Sequence, residues 1–130
     1  MSRDLVDEIV AHAQEDLPNE CCGIVSTRDG SAVQVYRATN AVASPLRFEI
    51  DPRDLIRIHS DVERAGLEMG SMYHSHVKSP AYPSQTDVNF AQNWPGVIWL
   101  IVSVADRDAP DVRGFRITGA DIEEVPLSIE

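Results

Sequence analysis

Residues 67–76 read LEMGSMYHSH, residues 84–93 read SQTDVNFAQN and residues 97–104 read VIWLIVSV, and these three stretches decide the fold. The first stretch predicts a strand that ends in polar residues. The second predicts a helix, because Ser84 and Asp87 have the spacing of a capping box, with Asp in place of Glu. The third is an apolar run that predicts a central strand, buried on both faces of its sheet.

Upstream of these stretches, the apolar periodicity predicts a helix, a hairpin and a second helix. The predicted elements are a helix over residues 3–16, strands over residues 22–27 and 32–37, a short strand through Phe48 and Ile50, and a helix over residues 51–66. Asp51-Pro52 is a strong helix start, because an N-cap acid precedes a proline at the first helical position. The inner face of the second helix is predicted to consist of Leu55, Ile56, His59 and Val62.

Two further strands are predicted over residues 112–117 and 122–127, each after a loop rich in Asp, Pro and Gly. Hydrophobic residues make up 43% of the chain and charged residues 25%, which is ordinary globular composition. No linker or internal repeat interrupts the sequence. We therefore expect residues 1–130 to form one α/β domain, with helices packed on the faces of a mixed β-sheet.

The formal net charge is −10, and acidic residues concentrate at the two ends of the chain. This charge argues against binding to nucleic acid or to an anionic membrane surface. The longest apolar run has six residues, far short of the roughly 20 that a membrane span needs. No secretory signal is visible at the N-terminus, and the adjacent Cys21 and Cys22 cannot form an ordinary long-range disulfide. We expect a reducing, cytoplasmic setting.

Two histidines and an aspartate form the clearest chemical pattern. His74 and His76 point the same way from a strand end, because side chains alternate along a strand, and Asp87 follows in the first turn of a helix. Two imidazoles and a carboxylate are a common catalytic zinc set that leaves a fourth position for water. The alternative is structural: histidines of the core or surface, and a helix-start acid. Spacing alone leaves both interpretations open.

The same residues resemble a known family. The JAMM motif of MPN-domain metalloproteases is matched at every defined position by His74-Ser75-His76, then seven residues, Ser84, two further residues and Asp87. Residues 18–23, PNECCG, resemble the segment in which that family places its catalytic glutamate before a core strand. The resemblance spans nearly the whole chain. It implies a single MPN domain with an α/β/α sandwich around a mixed sheet, a cytidine-deaminase-like arrangement.

The resemblance also implies a role for each motif residue. His74, His76 and Asp87 would hold one Zn²⁺ per chain. Glu20 would act as general base toward the zinc-bound water and would then protonate the leaving amine, while Ser84 would hydrogen-bond the developing oxyanion. General chemistry agrees with each role: zinc polarises a carbonyl and lowers the pKa of its water toward about 7, a carboxylate shuttles a proton, and a hydroxyl stabilises an oxyanion.

Within that family the chain is a bare core, without the insertions that eukaryotic deubiquitinating members carry, and it is most similar to the short bacterial Mec-type hydrolases. That likeness rests on AYPSQTD at residues 81–87 and on the Glu-Cys-Cys-Gly segment at residues 20–23. It implies hydrolysis of an amide bond at the C-terminus of a ubiquitin-like sulfur-carrier protein, in a pathway of cysteine biosynthesis. The products would be cysteine and a carrier that ends in Gly-Gly. The expected partner is therefore that carrier, and a homodimer is left open.

Three rival interpretations are kept. A general isopeptidase, similar to a desampylase, would cleave ubiquitin-like conjugates at a lysine side chain. A catalytically silent MPN module would serve as an interaction scaffold, although such members typically lose a ligand. A non-haem iron oxygenase also uses two histidines and a carboxylate, but its barrel needs more strands and it leaves Glu20 and Ser84 unexplained.

Several residues near the motif are expected to be structural. Lys78, the only lysine, is predicted to be a solvated loop residue, with recognition of a substrate carboxylate as the alternative. Cys21 and Cys22 are predicted to behave as buried hydrophobes and not as nucleophiles or ligands. Structural positions are also expected for the other histidines and for three aromatic residues, namely His12, His59, Phe90, Trp94 and Trp99.

Overall fold

The computed structural model describes residues 1–130 and contains three helices and six strands. In chain order these are α1 (Arg3–Glu15), β1 (Cys22–Arg28), β2 (Ser31–Ala38), α2 (Pro52–Arg64), β3 (Glu68–His76), α3 (Gln85–Ala91), β4 (Ile98–Ser103), β5 (Asp111–Thr118) and β6 (Asp121–Val125). The predicted order of elements is confirmed, apart from the short strand through Phe48 and Ile50. No helix has the length and apolar character that crossing a membrane requires.

All six strands form one mixed sheet in the order β2-β1-β3-β4-β5-β6. β3 and β4 are parallel, and every other neighbouring pair is antiparallel. β4 lies in the centre and is buried along nearly its whole length, as its apolar run predicts. β1 runs antiparallel to β3 with Cys22 opposite His74. The segment that precedes β1 therefore lies beside the carboxyl end of β3.

Helices cover both faces of the sheet. On one face, Ile9 of α1 belongs to a buried cluster that includes Tyr73 of β3. On the other face, Ile58 of α2 and Val88 of α3 belong to a second buried cluster that includes Trp99 of β4. Burial of each such large apolar side chain contributes roughly 1.5–3 kcal/mol to stability. The layers form the expected α/β/α sandwich.

The prediction of a short strand through Phe48 and Ile50 is wrong. A single isolated bridge, between Asn40 and Ile50, joins this segment to another. The reason is that the Asn40 side chain binds backbone groups that a strand ladder would use. The Glu49 N–H donates to its Oδ1, and its Nδ2 donates to the Arg47 carbonyl. Residues 39–50 therefore form a loop that is closed by the backbone hydrogen bonds of this bridge and by the side chain of Asn40.

The predicted inner face of α2 is half wrong. Leu55 and Val62 do pack on the core, but the fully buried residue between them is Ile58, whereas Ile56 is 71% exposed. His59 is also exposed, beside Glu63 one turn later. Positions 55, 58 and 62 follow the three- and four-residue steps of one helical face, and each single step turns the side chain by about 100°. Ile56 is thereby rotated away from the sheet.

Two element ends also differ from the prediction. α3 ends at Ala91 and not near Asn93, because the Trp94 N–H donates to the Ala91 carbonyl in a tighter, three-residue turn. Pro95 then cannot continue the helix. β6 ends at Val125, because the proline that follows has no N–H to offer a strand ladder.

Candidate metal centre and catalytic residues

The three predicted metal ligands converge at the carboxyl end of β3. The Nε2 atoms of His74 and His76 are 3.2 Å apart, and Asp87 Oδ2 lies 3.1 Å from the first and 2.9 Å from the second. All three side chains are buried. They form the one group of three or more His, Cys, Asp or Glu residues whose ligand atoms all lie within 4.8 Å of one another.

The donor set and its spacing fit a zinc ion. In a tetrahedral site, ligand atoms about 2.0–2.1 Å from zinc lie roughly 3.3 Å from one another, close to the separations of the three donors. His76 Nδ1 donates to the Pro80 carbonyl at 2.8 Å, so the Nε2 lone pair faces the other two ligand atoms. Three protein donors leave a fourth position for water or substrate. This arrangement suits a catalytic site better than a closed structural one.

Aromatic packing holds the other imidazole. The Phe48 ring stacks on the His74 ring, with centroids 4.5 Å apart and planes inclined by 22°. His74 Nδ1 is buried and has no hydrogen-bond partner. Packing against the loop of residues 39–50 therefore orients this ligand, whereas a hydrogen bond orients His76. The loop that lacks the predicted strand thus forms part of the wall of the metal centre.

The start of α3 holds the carboxylate ligand. Ser84 is the N-cap, and its Oγ accepts the Asp87 N–H at 3.1 Å, while Asp87 Oδ2 accepts the Ser84 N–H at 3.0 Å. Burial opposes ionisation of Asp87, but the two imidazoles and the Ser84 amide outweigh it and hold the pKa of Asp87 well below its usual value. The capping box predicted from the sequence is confirmed, and the same carboxylate is held as an anion that faces both imidazoles.

Glu20 lies on the segment that precedes β1. Because β1 and β3 are antiparallel with Cys22 opposite His74, the residue two positions before Cys22 lies level with His76. Its side chain is 4% exposed, and Oε1 has no hydrogen-bond partner. Burial raises the pKa of Glu20 to about 8; His76 opposes this shift and Asp87 adds to it. A buried carboxyl with a free oxygen is placed to exchange a proton with a neighbouring group.

Asn40 secures the backbone of that glutamate. Its Nδ2 donates to the Glu20 carbonyl at 3.0 Å and to the Arg47 carbonyl at 3.1 Å. Its Oδ1 accepts the N–H groups of Val42 at 3.2 Å and Glu49 at 3.1 Å. Sequence reasoning missed this residue, because an asparagine in a loop of small residues is ordinary turn chemistry. Only the folded loop brings its four partners together.

The predicted oxyanion donor lies at the rim of the centre. Ser84 is exposed, and its Oγ accepts a hydrogen bond from the α3 backbone. Accepting that bond leaves the hydroxyl hydrogen free to be donated. Helix capping and donation to a substrate oxygen are therefore compatible, and the second role stays a prediction.

Two cavities flank the centre. The first, of about 590 Å³, is mostly polar; Glu20 and Arg57 are among its lining residues. The second, of about 350 Å³, adjoins Asp87 and has an apolar wall that includes Phe48 and Trp94. Glu20 thus lines a polar space, and Asp87 lines an apolar one.

The other residues that the sequence drew attention to lie outside the ligand set. Cys21 and Cys22 are free and buried, one in each of the two core clusters, and burial raises the pKa of Cys21 to about 12. His12 is buried in a structural position, with Nδ1 2.6 Å from the Tyr73 hydroxyl. Lys78 is exposed in the loop after β3, as predicted.

Comparison with known proteins agrees with this geometry. The family of prokaryotic homologues of the JAB domain matches residues 2–118. The chain belongs to this family. Its membership confirms the resemblance to JAMM and MPN proteins and the fold that the resemblance implies.

Two relatives of this JAB domain are enzymes by name. A protein of Mycobacterium tuberculosis named CysO-cysteine peptidase is 34% identical over 128 residues, which cover 97% of this chain and 87% of the relative. A desampylase of Haloferax volcanii is 34% identical over 138 aligned positions, which cover 100% of this chain and 95% of the relative.

A solved structure supports the same assignment. The solution structure of a protein from Desulfitobacterium hafniense matches with a TM-score of 0.89 and 32% identity, covering 100% of this chain and 93% of that one. This match supports the fold, while the family and the two relatives named as enzymes make the JAB domain a hydrolase of the JAMM type.

Proposed function

We propose that this protein is a zinc-dependent peptidase that hydrolyses the amide bond between the C-terminus of a ubiquitin-like sulfur-carrier protein and a terminal cysteine. The observation that carries the proposal is the convergence of His74, His76 and Asp87 beside the buried, unpaired carboxyl of Glu20. Such a group of donors beside a carboxyl that can carry a proton suits the hydrolysis of an amide by water. The adjacent buried thiols are free, which agrees with a reducing cytoplasm as its setting.

The three convergent donors would hold the zinc ion. When bound there, zinc supplies Lewis acidity, polarising the scissile carbonyl and lowering the pKa of a water molecule. The short contacts of the two imidazoles with Asp87 keep these donors in place. All three side chains are buried, and the fourth position of such a site is left for a water molecule.

Glu20 moves the proton. It lies at the level of His76, where its free Oε1 accepts a proton from the attacking water and later donates it to the leaving nitrogen. One proton is transferred in and out, so the carboxyl ends the cycle as it began. Asn40 keeps the Glu20 backbone fixed during both transfers.

Ser84 stabilises the oxygen of the scissile carbonyl as negative charge develops there. Its hydroxyl hydrogen is available, while the bond from the Asp87 N–H fixes the position of the Oγ atom. A donor that is already oriented strengthens its bond in the transition state without reorganising. The serine therefore contributes to the rate more than to ground-state binding.

The substrate class follows from the relatives. The Mycobacterium tuberculosis relative is named a peptidase of CysO-cysteine, and its match covers nearly all of this chain. A carrier tail that ends in Gly-Gly suits passage close to a buried centre, because glycine lets a backbone approach closely. The products of this hydrolysis are free cysteine and the carrier that ends in Gly-Gly.

A second candidate is an isopeptidase for ubiquitin-like conjugates. The Haloferax volcanii desampylase favours it, because that match covers the whole of this chain at the same identity. The two candidates share the metal centre and the proton carrier. They differ in the leaving amine, which is free cysteine in one case and a lysine side chain of a protein in the other.

The test begins with metal content and two substrates. Elemental mass spectrometry of the purified protein should find about one zinc per chain, restored after chelation. Intact-mass spectrometry should then show hydrolysis of a carrier–Gly-Gly–Cys substrate faster than that of a lysine-linked carrier. A protein that takes up no zinc on reconstitution refutes the proposal, and faster cleavage of the lysine-linked carrier assigns the second candidate.

Glu20→Gln tests the mechanism. The variant should keep its zinc and lose about 10²- to 10⁴-fold in kcat, since the amide cannot accept the proton. Glu63→Gln, an exposed glutamate on α2, is the matched control and should match wild type. A Glu20→Gln variant with wild-type turnover would exclude Glu20 as the proton carrier.

A further inference from the structure

The polar cavity of about 590 Å³ opens between three chain segments, namely the C-terminal end of α1, the end of β2 and the start of α2. Its lining includes the guanidinium residues Arg37 and Arg57 and the acids Glu15, Asp16 and Asp54. Charges of both signs in one space match a zwitterion better than they match an apolar group.

Glu20 connects this cavity to the reaction centre. It lines the cavity, and it also interacts electrostatically with His76 and Asp87. A group that donates a proton to the leaving nitrogen must face that nitrogen. The leaving group therefore departs on the Glu20 side, into the polar cavity. The apolar cavity adjoins Asp87 instead of Glu20 and is left for the acyl side of the substrate.

The two guanidinium groups differ in their availability. Arg37 is engaged by Glu15 and lies 3.9 Å from Glu8. Arg57 is held only by a long contact of 3.5 Å with Asp54, and its side chain is 55% exposed. Most of the five N–H donors of Arg57 are therefore free. A guanidinium with free paired donors matches the two oxygens of a carboxylate.

We propose that this cavity is the leaving-group subsite for a free amino acid, and that Arg57 binds its α-carboxylate. The inference rests on the proposed function, because that reaction releases an amino acid with a free carboxylate. The amine is formed beside Glu20, and the carboxylate lies toward α2. Arg57 thereby becomes a specificity-determining residue, because it distinguishes the two leaving groups. A released cysteine has a free α-carboxylate, whereas the carbonyl of a lysine within a protein chain is part of a peptide bond and carries no charge.

The test compares two substrates that differ only at this carboxylate, carrier–cysteine and carrier–cysteinamide, on the zinc-loaded enzyme. Wild type should favour the acid over the amide by about 10- to 100-fold in kcat/KM, which is the range expected for a hydrogen-bonded charge. Arg57→Gln should reduce that ratio toward one, and Arg57→Lys should restore part of it. Arg53→Gln on the same helix, with a side chain that is 91% exposed, is the matched control and should keep the wild-type ratio.

The outcomes separate the subsite from the reaction. A wild-type ratio near one, or a ratio that is the same in wild type and in Arg57→Gln, overturns the subsite while the proposed hydrolysis stands. Hydrolysis of neither substrate by wild type overturns the proposed function, and the subsite with it. Because Arg57 is exposed, circular dichroism should show that its variants fold like wild type, so a changed ratio reports recognition.

Discussion

Replacing Asn40 with alanine should destabilise the protein by about 2–4 kcal/mol, although the residue lies in a loop between β2 and α2. The magnitude comes from the four hydrogen bonds of its side chain, two donated and two accepted, at 3.0–3.2 Å. Each such bond contributes about 0.5–1.5 kcal/mol net, and an orphaned buried group costs somewhat more. The bond to the Glu20 carbonyl is fully buried, whereas the other three are partly buried and regain some water.

Urea unfolding followed by tryptophan fluorescence measures this loss, because Trp99 of β4 is buried in the core and becomes exposed to water on unfolding. Asn40→Asp should be informative as a second variant, since it keeps both acceptor bonds and loses both donor bonds. Asn93→Ala, at an exposed position, is the matched control and should change stability by less than about 0.5 kcal/mol. An Asn40→Ala variant as stable as that control would show that the loop of residues 39–50 does not depend on this side chain.

Two further predictions concern packing and pH. Gly23→Ala should lower Tm by roughly 5–15 °C, because the added Cβ would lie 2.3 Å from the ring of Tyr73. That ring cannot easily move aside, since its hydroxyl is hydrogen-bonded to His12. Differential scanning calorimetry measures Tm, and an unchanged Tm would contradict this packing. Burial lowers the pKa of His12, and the nearby carboxylate of Asp16 offsets only part of this shift. Below the ordinary value of 6.5, His12 therefore binds a proton more readily in the unfolded chain than in the folded protein. The stability of wild type should therefore fall more than that of His12→Gln when urea unfolding is repeated from about pH 7.5 to about pH 5.5, and parallel losses would refute this.

The sequence was sufficient for the parts of the metal centre that local geometry determines. Strand alternation places His74 and His76 on one side, and the capping box places Asp87 at the start of α3. Glu20 came only from the resemblance, because its position depends on the register between β1 and β3, more than fifty residues away in the chain. Asn40 could not be predicted at all, since its bonds exist only once the loop has closed.

The errors in the fold have similar causes. On α2, Ile56 and Ile58 are both apolar, so two neighbouring stripes fit the helical period, and only packing on the sheet selects Ile58. The apolar alternation of Phe48 and Ile50 reads as a strand, but the ring of Phe48 is used to cover His74. Periodicity identifies which side chains avoid water, and it does not identify what covers them.

One oxygen atom, Asp87 Oδ2, accepts the Ser84 N–H and also faces the two imidazole nitrogens. α3 has only seven residues, too few for a helix that persists without tertiary anchors. With zinc bound to these donors as proposed, helix initiation and ion retention would be linked equilibria, and a substitution at the cap should change both. Amide hydrogen exchange in the first turn of α3 should therefore report occupancy of the proposed zinc site, and this measurement needs no substrate.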